Sequence, residues 1–80
     1  MYEVEYAPNV ERQIDELPSS ARQACRAAVE ELRRDPWRGE RYSGHPPEFR
    51  TWPFGQWGLV VYLVLDRAAR VVVLQVGWAG

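Results

Sequence analysis

The sequence contains no lysine, so all ten basic residues are arginine. A GC-rich coding sequence accounts for this without any function; selection for forked guanidinium contacts to phosphate or carboxylate is the functional alternative. No excess of positive charge is present either. Eleven acids bring the net charge to -1, which excludes a broadly basic binder of nucleic acid but leaves room for a local cluster of arginines. Cys25 is the only cysteine and His45 the only histidine. One of each excludes a disulfide framework and a zinc site within the chain. The longest apolar run, Leu59 to Leu65, is far short of the roughly 20 residues that cross a bilayer as a helix. The opening Met-Tyr-Glu-Val-Glu-Tyr is too polar for a secretory signal. These absences lead to the expectation of a cytoplasmic protein without metal or cofactor.

What is present is aromatic and aliphatic. Of the 80 residues 46% are hydrophobic, with four Trp, four Tyr and two Phe. A chain this short buries only roughly 60–65% of its unfolded surface, so large rings contribute much of the core. The length predicts a single domain over residues 1–80.

The hydrophobic pattern changes period along the chain. Tyr2, Val4 and Tyr6 alternate with Glu3 and Glu5, which predicts a strand with one wet face. Val10, Ile14 and Leu17 follow at helical spacing between Pro8 and Pro18. Ser20 and Gln23 read as a capping box opening a second helix. Its inner stripe is Ala21, Ala24, Cys25, Ala28, Val29 and Leu32, and its outer face predicts the pairs Arg26–Glu30 and Glu30–Arg34. Cys25 on that stripe reads as a buried structural thiol. Asp35-Pro36 ends the helix, and residues 36–47 read as loop. Glu48 to Trp52 predicts a short strand that Pro53 confines to an edge or an end. Trp57 to Leu65 predicts a central strand buried on both faces. Asp66-Arg-Ala-Ala turns the chain into a last strand, Arg70 to Val76. The fold class is α+β: a small, mainly antiparallel sheet in the order β-α-α-β-β-β, with an αα-hairpin on one face and the other face partly open.

That order, with Leu17-Pro18 between the helices and Leu32-Arg-Arg-Asp-Pro36 after them, resembles the RelE/ParE family of toxins from type II toxin–antitoxin pairs. Arg41-Tyr-Ser-Gly44, Phe49-Arg50, Tyr62 followed by Asp66, and Val76-Gly77 carry the resemblance further. It implies a chain neutralised by a cognate antitoxin. It also implies one of two targets: mRNA on the ribosome, cut by ribosome-dependent cleavage in which the RNA's own 2′-hydroxyl attacks, or DNA gyrase, inhibited by binding. A catalytically decayed interaction module is a third outcome. Arg41 matches a basic loop position and Arg50 a basic strand position. Phe54, Gly58 and Leu59 stand where nuclease members carry arginine, tyrosine and arginine, and the tail Gly77-Trp-Ala-Gly80 lacks a terminal Arg or Tyr.

His45, Glu48 and Arg50 are the residues from which an acid, a base and a phosphate clamp could be drawn at one loop–strand junction. The plain alternative is an exposed loop histidine beside a strand ion pair. Arg38 and Arg41, with Arg33 and Arg34, form a cationic stretch suited to RNA phosphate or to an acidic antitoxin; a solvated helix end explains it equally. Trp52, Trp57 and Trp78 serve either base stacking or packing.

Overall fold

The computed structural model describes residues 1–80. The elements are β1 (Glu3–Tyr6), α1 (Val10–Asp15), α2 (Ser19–Arg34), β2 (Glu40–Arg41), β3 (Phe49–Phe54), β4 (Gly58–Leu65) and β5 (Arg70–Trp78). Short 3-10 turns, Pro36–Arg38 and Asp66–Ala68, precede β2 and β5. The five strands form one sheet in the order β1-β5-β4-β3-β2. β1 runs parallel to β5, and every other pair is antiparallel. The α+β class therefore stands, with one strand more than the sequence pattern shows. Glu40 and Arg41 pair with Thr51 and Arg50. Two residues are too few to carry a period-two signal, so β2 lay inside the expected loop.

The helical hairpin covers one face. Val10, Ile14 and Leu17 from the first helical segment, and Ala21, Cys25, Ala28, Val29 and Leu32 from α2, are buried against Phe54, Val60, Tyr62, Val64, Val71, Val73 and Val76. Burial pushes the Cys25 thiol pKa up, in keeping with a packed, unreactive side chain.

Two expectations for α2 need correction. The helix starts at Ser19 with Pro18 in the cap position, so Ser20 already lies in the first turn and makes no capping bond. The outer pairs also differ. Arg26 reaches Glu11 and Asp15 of α1 at 3.9 Å, and Glu30 pairs with Arg33 at 3.0 Å. Tertiary neighbours outcompete the i,i+4 partners because exposed pairs differ by only a few tenths of a kcal/mol.

The centre of the sheet holds a bulge. Val61 pairs with Gln75, whereas Tyr62 pairs with Val73, so Leu74 is the extra residue. Strict alternation from Val71 and Val73 would turn the polar Gln75 inward. The bulge turns Gln75 outward and buries Val76 instead. Beside it, Gln13 Oε1 accepts the Val76 N–H at 3.0 Å, linking α1 to β5.

β4 departs from the expected two-sided burial. Val60, Tyr62 and Val64 are fully covered, but Leu59 and Leu65 are 42% and 39% exposed. Val61 and Leu63 are half-buried. The helices cover a single face, so an apolar strand lies in the centre of the sheet with one side bare. Pro53 sits on the part of β3 beyond β2's pairing, where its missing N–H leaves no ladder bond unmade.

Candidate functional site

Residues 36–50 fold over the β3 edge as a fastened loop. Tyr42-Ser-Gly44-His45 closes as a β-turn, with His45 N–H on the Tyr42 carbonyl at 3.1 Å. Gly44 sits third in the turn at φ 81°, the left-handed position that glycine fills without strain. A second turn follows at Pro46–Phe49, with Phe49 N–H on the Pro46 carbonyl at 3.0 Å. Tyr42 N–H then bonds the Phe49 carbonyl at 2.8 Å and zips the loop to β3.

Sheet side chains tie this loop down from beneath. The Tyr62 hydroxyl, wholly buried, donates to the Pro36 carbonyl at 2.6 Å. Burial pushes its pKa up to about 12. A Cβ at Gly39 would meet the Tyr62 hydroxyl and lie 2.6 Å from the Thr51 carbonyl, so the loop passes where only glycine fits. Asp66 accepts from Trp37 Nε1 at 3.1 Å and from the Tyr2 hydroxyl. Those two hydrogen bonds, Tyr2's first, hold its carboxyl below the usual carboxylate range.

Arg50 is the third anchor. Its Nε donates to the Pro47 carbonyl at 2.8 Å, and its Nη1 to those of Gly39 at 3.0 Å and Trp37 at 3.4 Å. The guanidinium also stacks 5.0 Å from the Trp37 ring. Nη2 makes none of these contacts.

The other residues singled out from the sequence lie on the outside of this loop. The His45 ring stacks on Tyr42 at 4.5 Å and 5° between planes, and its Nδ1 lies 3.2 Å from the Ser43 carbonyl. Glu48 is exposed, and its carbonyl accepts from Val64 N–H at 2.9 Å. It lines an open groove of about 580 Å³ with Trp37, Leu65, Asp66 and Arg67. The side chains of His45, Glu48 and Arg50 share a short stretch of chain but form no hydrogen bond or salt bridge with one another. Arg41 points both Nε and Nη2 at the His45 carbonyl, each at 3.4 Å. Arg38 lies 4.9 Å from the Trp52 ring. Neither arginine has a carboxylate partner, in contrast to Arg26, Arg33 and Arg70.

The anchoring roles of Trp37, Asp66 and Tyr62 were not legible in the sequence. Trp37 and Asp66 are separated by 29 positions, and no local pattern joins them. At the far end of the sheet Trp57 and Trp78 remain 58% and 38% exposed. No three His, Cys, Asp or Glu side chains converge as a metal site would require. No helix is long and apolar enough to cross a membrane.

No family model matches the chain, and no curated protein matches it in sequence. Solved structures do. The fold is shared with a chain of the intact E. coli RelBE toxin–antitoxin complex at TM-score 0.85 and 20% identity, over 100% of this chain and 99% of that one. The RelBE2 toxin–antitoxin complex of Mycobacterium tuberculosis matches at TM-score 0.83 and 24% identity, over 98% of both chains. The archaeal RelE–RelB complex from Pyrococcus horikoshii matches at TM-score 0.73 and 15% identity, over 99% of this chain and 96% of that one. The chain therefore has the RelE fold.

Proposed function

We propose that this chain is the toxin of a toxin–antitoxin pair and that it blocks translation by cutting mRNA on the ribosome. The observation that carries the toxin reading is the end-to-end match to the RelE fold, with almost nothing left over on either chain. The open sheet face supports a protein partner. Leu59, Val61, Leu63 and Leu65 line its central strand half-buried or exposed, and an apolar face of that kind calls for cover. A cognate antitoxin is the partner this reading supplies.

For the chemistry, the 2′-hydroxyl of one nucleotide attacks the adjacent phosphorus, and the 5′-oxygen of the next nucleotide leaves. A base takes the hydroxyl proton, an acid returns one to the leaving oxygen, and a cation faces the phosphorane. His45 and Glu48 are the groups available to move protons. Arg50 can offer its Nη2 edge to the phosphoryl oxygens while Nε and Nη1 hold the loop. Arg38 and Arg41, without carboxylate partners, face the flanking phosphates.

A second reading rests on a different observation. The open face carries aliphatic side chains and no arginine from β4, where Leu59, Val61 and Leu63 stand. Such a surface suits inhibition by binding, with DNA gyrase as the target.

One experiment separates the two. The chain is added to programmed ribosomes, and RNA ends are mapped. The expected result is cleaved mRNA with a 2′,3′-cyclic phosphate on the upstream fragment, lost in His45→Ala or Glu48→Gln. Intact transcripts together with reduced supercoiling by purified gyrase would replace the nuclease reading with the binding one. Absence of both effects, with no growth arrest on expression, would remove the toxin reading.

A further inference from the structure

We infer that the stacked rings of Tyr42 and His45 form a platform for one unpaired nucleobase, presented by Tyr42, a residue that neither moves a proton nor faces the phosphorane in the reading above. The inference rests on the RNA-directed reading above. Three observations support it. The ring planes are nearly parallel, 5° apart with centroids at 4.5 Å, and His45 is backed by the tilted Phe49 ring at 5.4 Å, so the stack is supported from one end. Tyr42, at the other end, is 39% exposed and has no second ring partner. The backbone under it is braced by the two turns and the Tyr42–Phe49 bond, and the stack on His45 holds the ring's orientation. A flat, preoriented, partly exposed ring is what a base needs in order to stack.

The surroundings match a nucleotide rather than an apolar peptide. Arg41 is adjacent in the chain, and Arg38 lies on the same edge of the sheet. Neither guanidinium has a carboxylate partner, so both leave positive charge beside the loop that carries the rings. Stacking is indifferent to base identity, so the site recognises an unpaired base in RNA or DNA alike. It discriminates against duplex, whose bases are already stacked on one another.

The test measures binding of a labelled short single-stranded RNA to the chain at low salt, beside the same sequence as DNA and as duplex RNA. Tyr42→Ala should weaken binding to single strands by about 5- to 150-fold, the range for losing one base–aromatic stack. Tyr42→Phe should bind like the parent, since the Tyr42 hydroxyl makes no hydrogen bond. Both variants should melt with the parent, because Tyr42 is outside the core. Equal binding by Tyr42→Ala and the parent, equal affinity for duplex and single strand, or no binding by the parent would each overturn the platform. Loss of antitoxin affinity in Tyr42→Ala with unchanged RNA affinity would assign the rings to a protein contact and overturn it too. Cleavage on ribosomes by the parent distinguishes the two failures. If cleavage persists at full rate in Tyr42→Ala, the platform alone is wrong; if the parent never cleaves, the RNA-directed reading falls with it.

Discussion

The two faces of β4 are built from the same residue types and meet opposite surroundings. Val60, Tyr62 and Val64 are sealed beneath the helical hairpin, while Leu59, Val61, Leu63 and Leu65 stay half-buried or exposed. A strand that is apolar on both sides ordinarily sits between two covering layers. Here the chain supplies one layer. The hydrophobic pattern of a strand thus states how much cover it requires, and leaves open whether the cover comes from the same chain. The one-sided cover is the structural reason to expect a partner on the bare face.

The largest effect should come from placing a charge on the covered side. Val60→Asp would bury a carboxylate in the apolar core, at a cost of several kcal/mol in a domain whose whole stability is of order 5–15 kcal/mol. The cooperative thermal transition should disappear. A Val60→Asp chain melting within a few degrees of the parent would break the distinction between the faces.

Tyr62→Phe should cost about 1–3 kcal/mol, because the Pro36 carbonyl loses its buried donor. It should also change the response to alkali. The folded pKa of Tyr62 is raised to about 12, above an unfolded value near 10. The folded state therefore keeps a proton that the unfolded chain releases. The resulting stabilisation is complete below about pH 10 and is lost as pH rises from there toward 12; it amounts to at most about 2–3 kcal/mol. Urea unfolding across that window should show a steeper decline for the parent than for Tyr62→Phe. Parallel curves would mean the hydroxyl is not buried as described.

Gln13→Ala tests how the faces are assigned along β5. Losing the bond to Val76 N–H should destabilise the chain by about 1–2 kcal/mol and raise hydrogen exchange at Val76 before other β5 amides. Unaltered protection there would show that α1 does not brace the bulge.

The smallest effect on folding should come from Val61→Asp, which puts the same charge one residue away on the bare side. A change within about 1 kcal/mol is expected, since the carboxylate reaches water. Affinity for a protein that covers this face should fall much further. A collapse of folding equal to that of Val60→Asp would show the open face to be as dry as the covered one.

The core was largely legible from the residues. Val10, Ile14 and Leu17, the α2 stripe from Ala21 to Leu32, and the aliphatic run of β4 all announce themselves by spacing. The candidate site was legible only as a neighbourhood. Arg41, His45, Glu48 and Arg50 do fall on one loop and strand, but the contacts of Arg50 with the carbonyls of Trp37, Gly39 and Pro47 have no sequence signal, since backbone acceptors look the same at every position. The capping expectation at Ser20 failed for a related reason. Pro18 and the preceding turn set where the helix begins, and the motif then lay one residue inside it.

By itself the sequence determined the order of the elements, the composition of the core and the excess of apolar surface on β4, because each follows from the periodic placement of side chains along a short segment. Tertiary structure decided the rest: the bulge that trades Gln75 for Val76, the two-residue β2, the side of β4 that the helices cover, and the direction in which each arginine points. Those depend on register and on partners far apart in the chain. Competing arrangements there differ by about the worth of one or two hydrogen bonds, so only the assembled sheet selects among them.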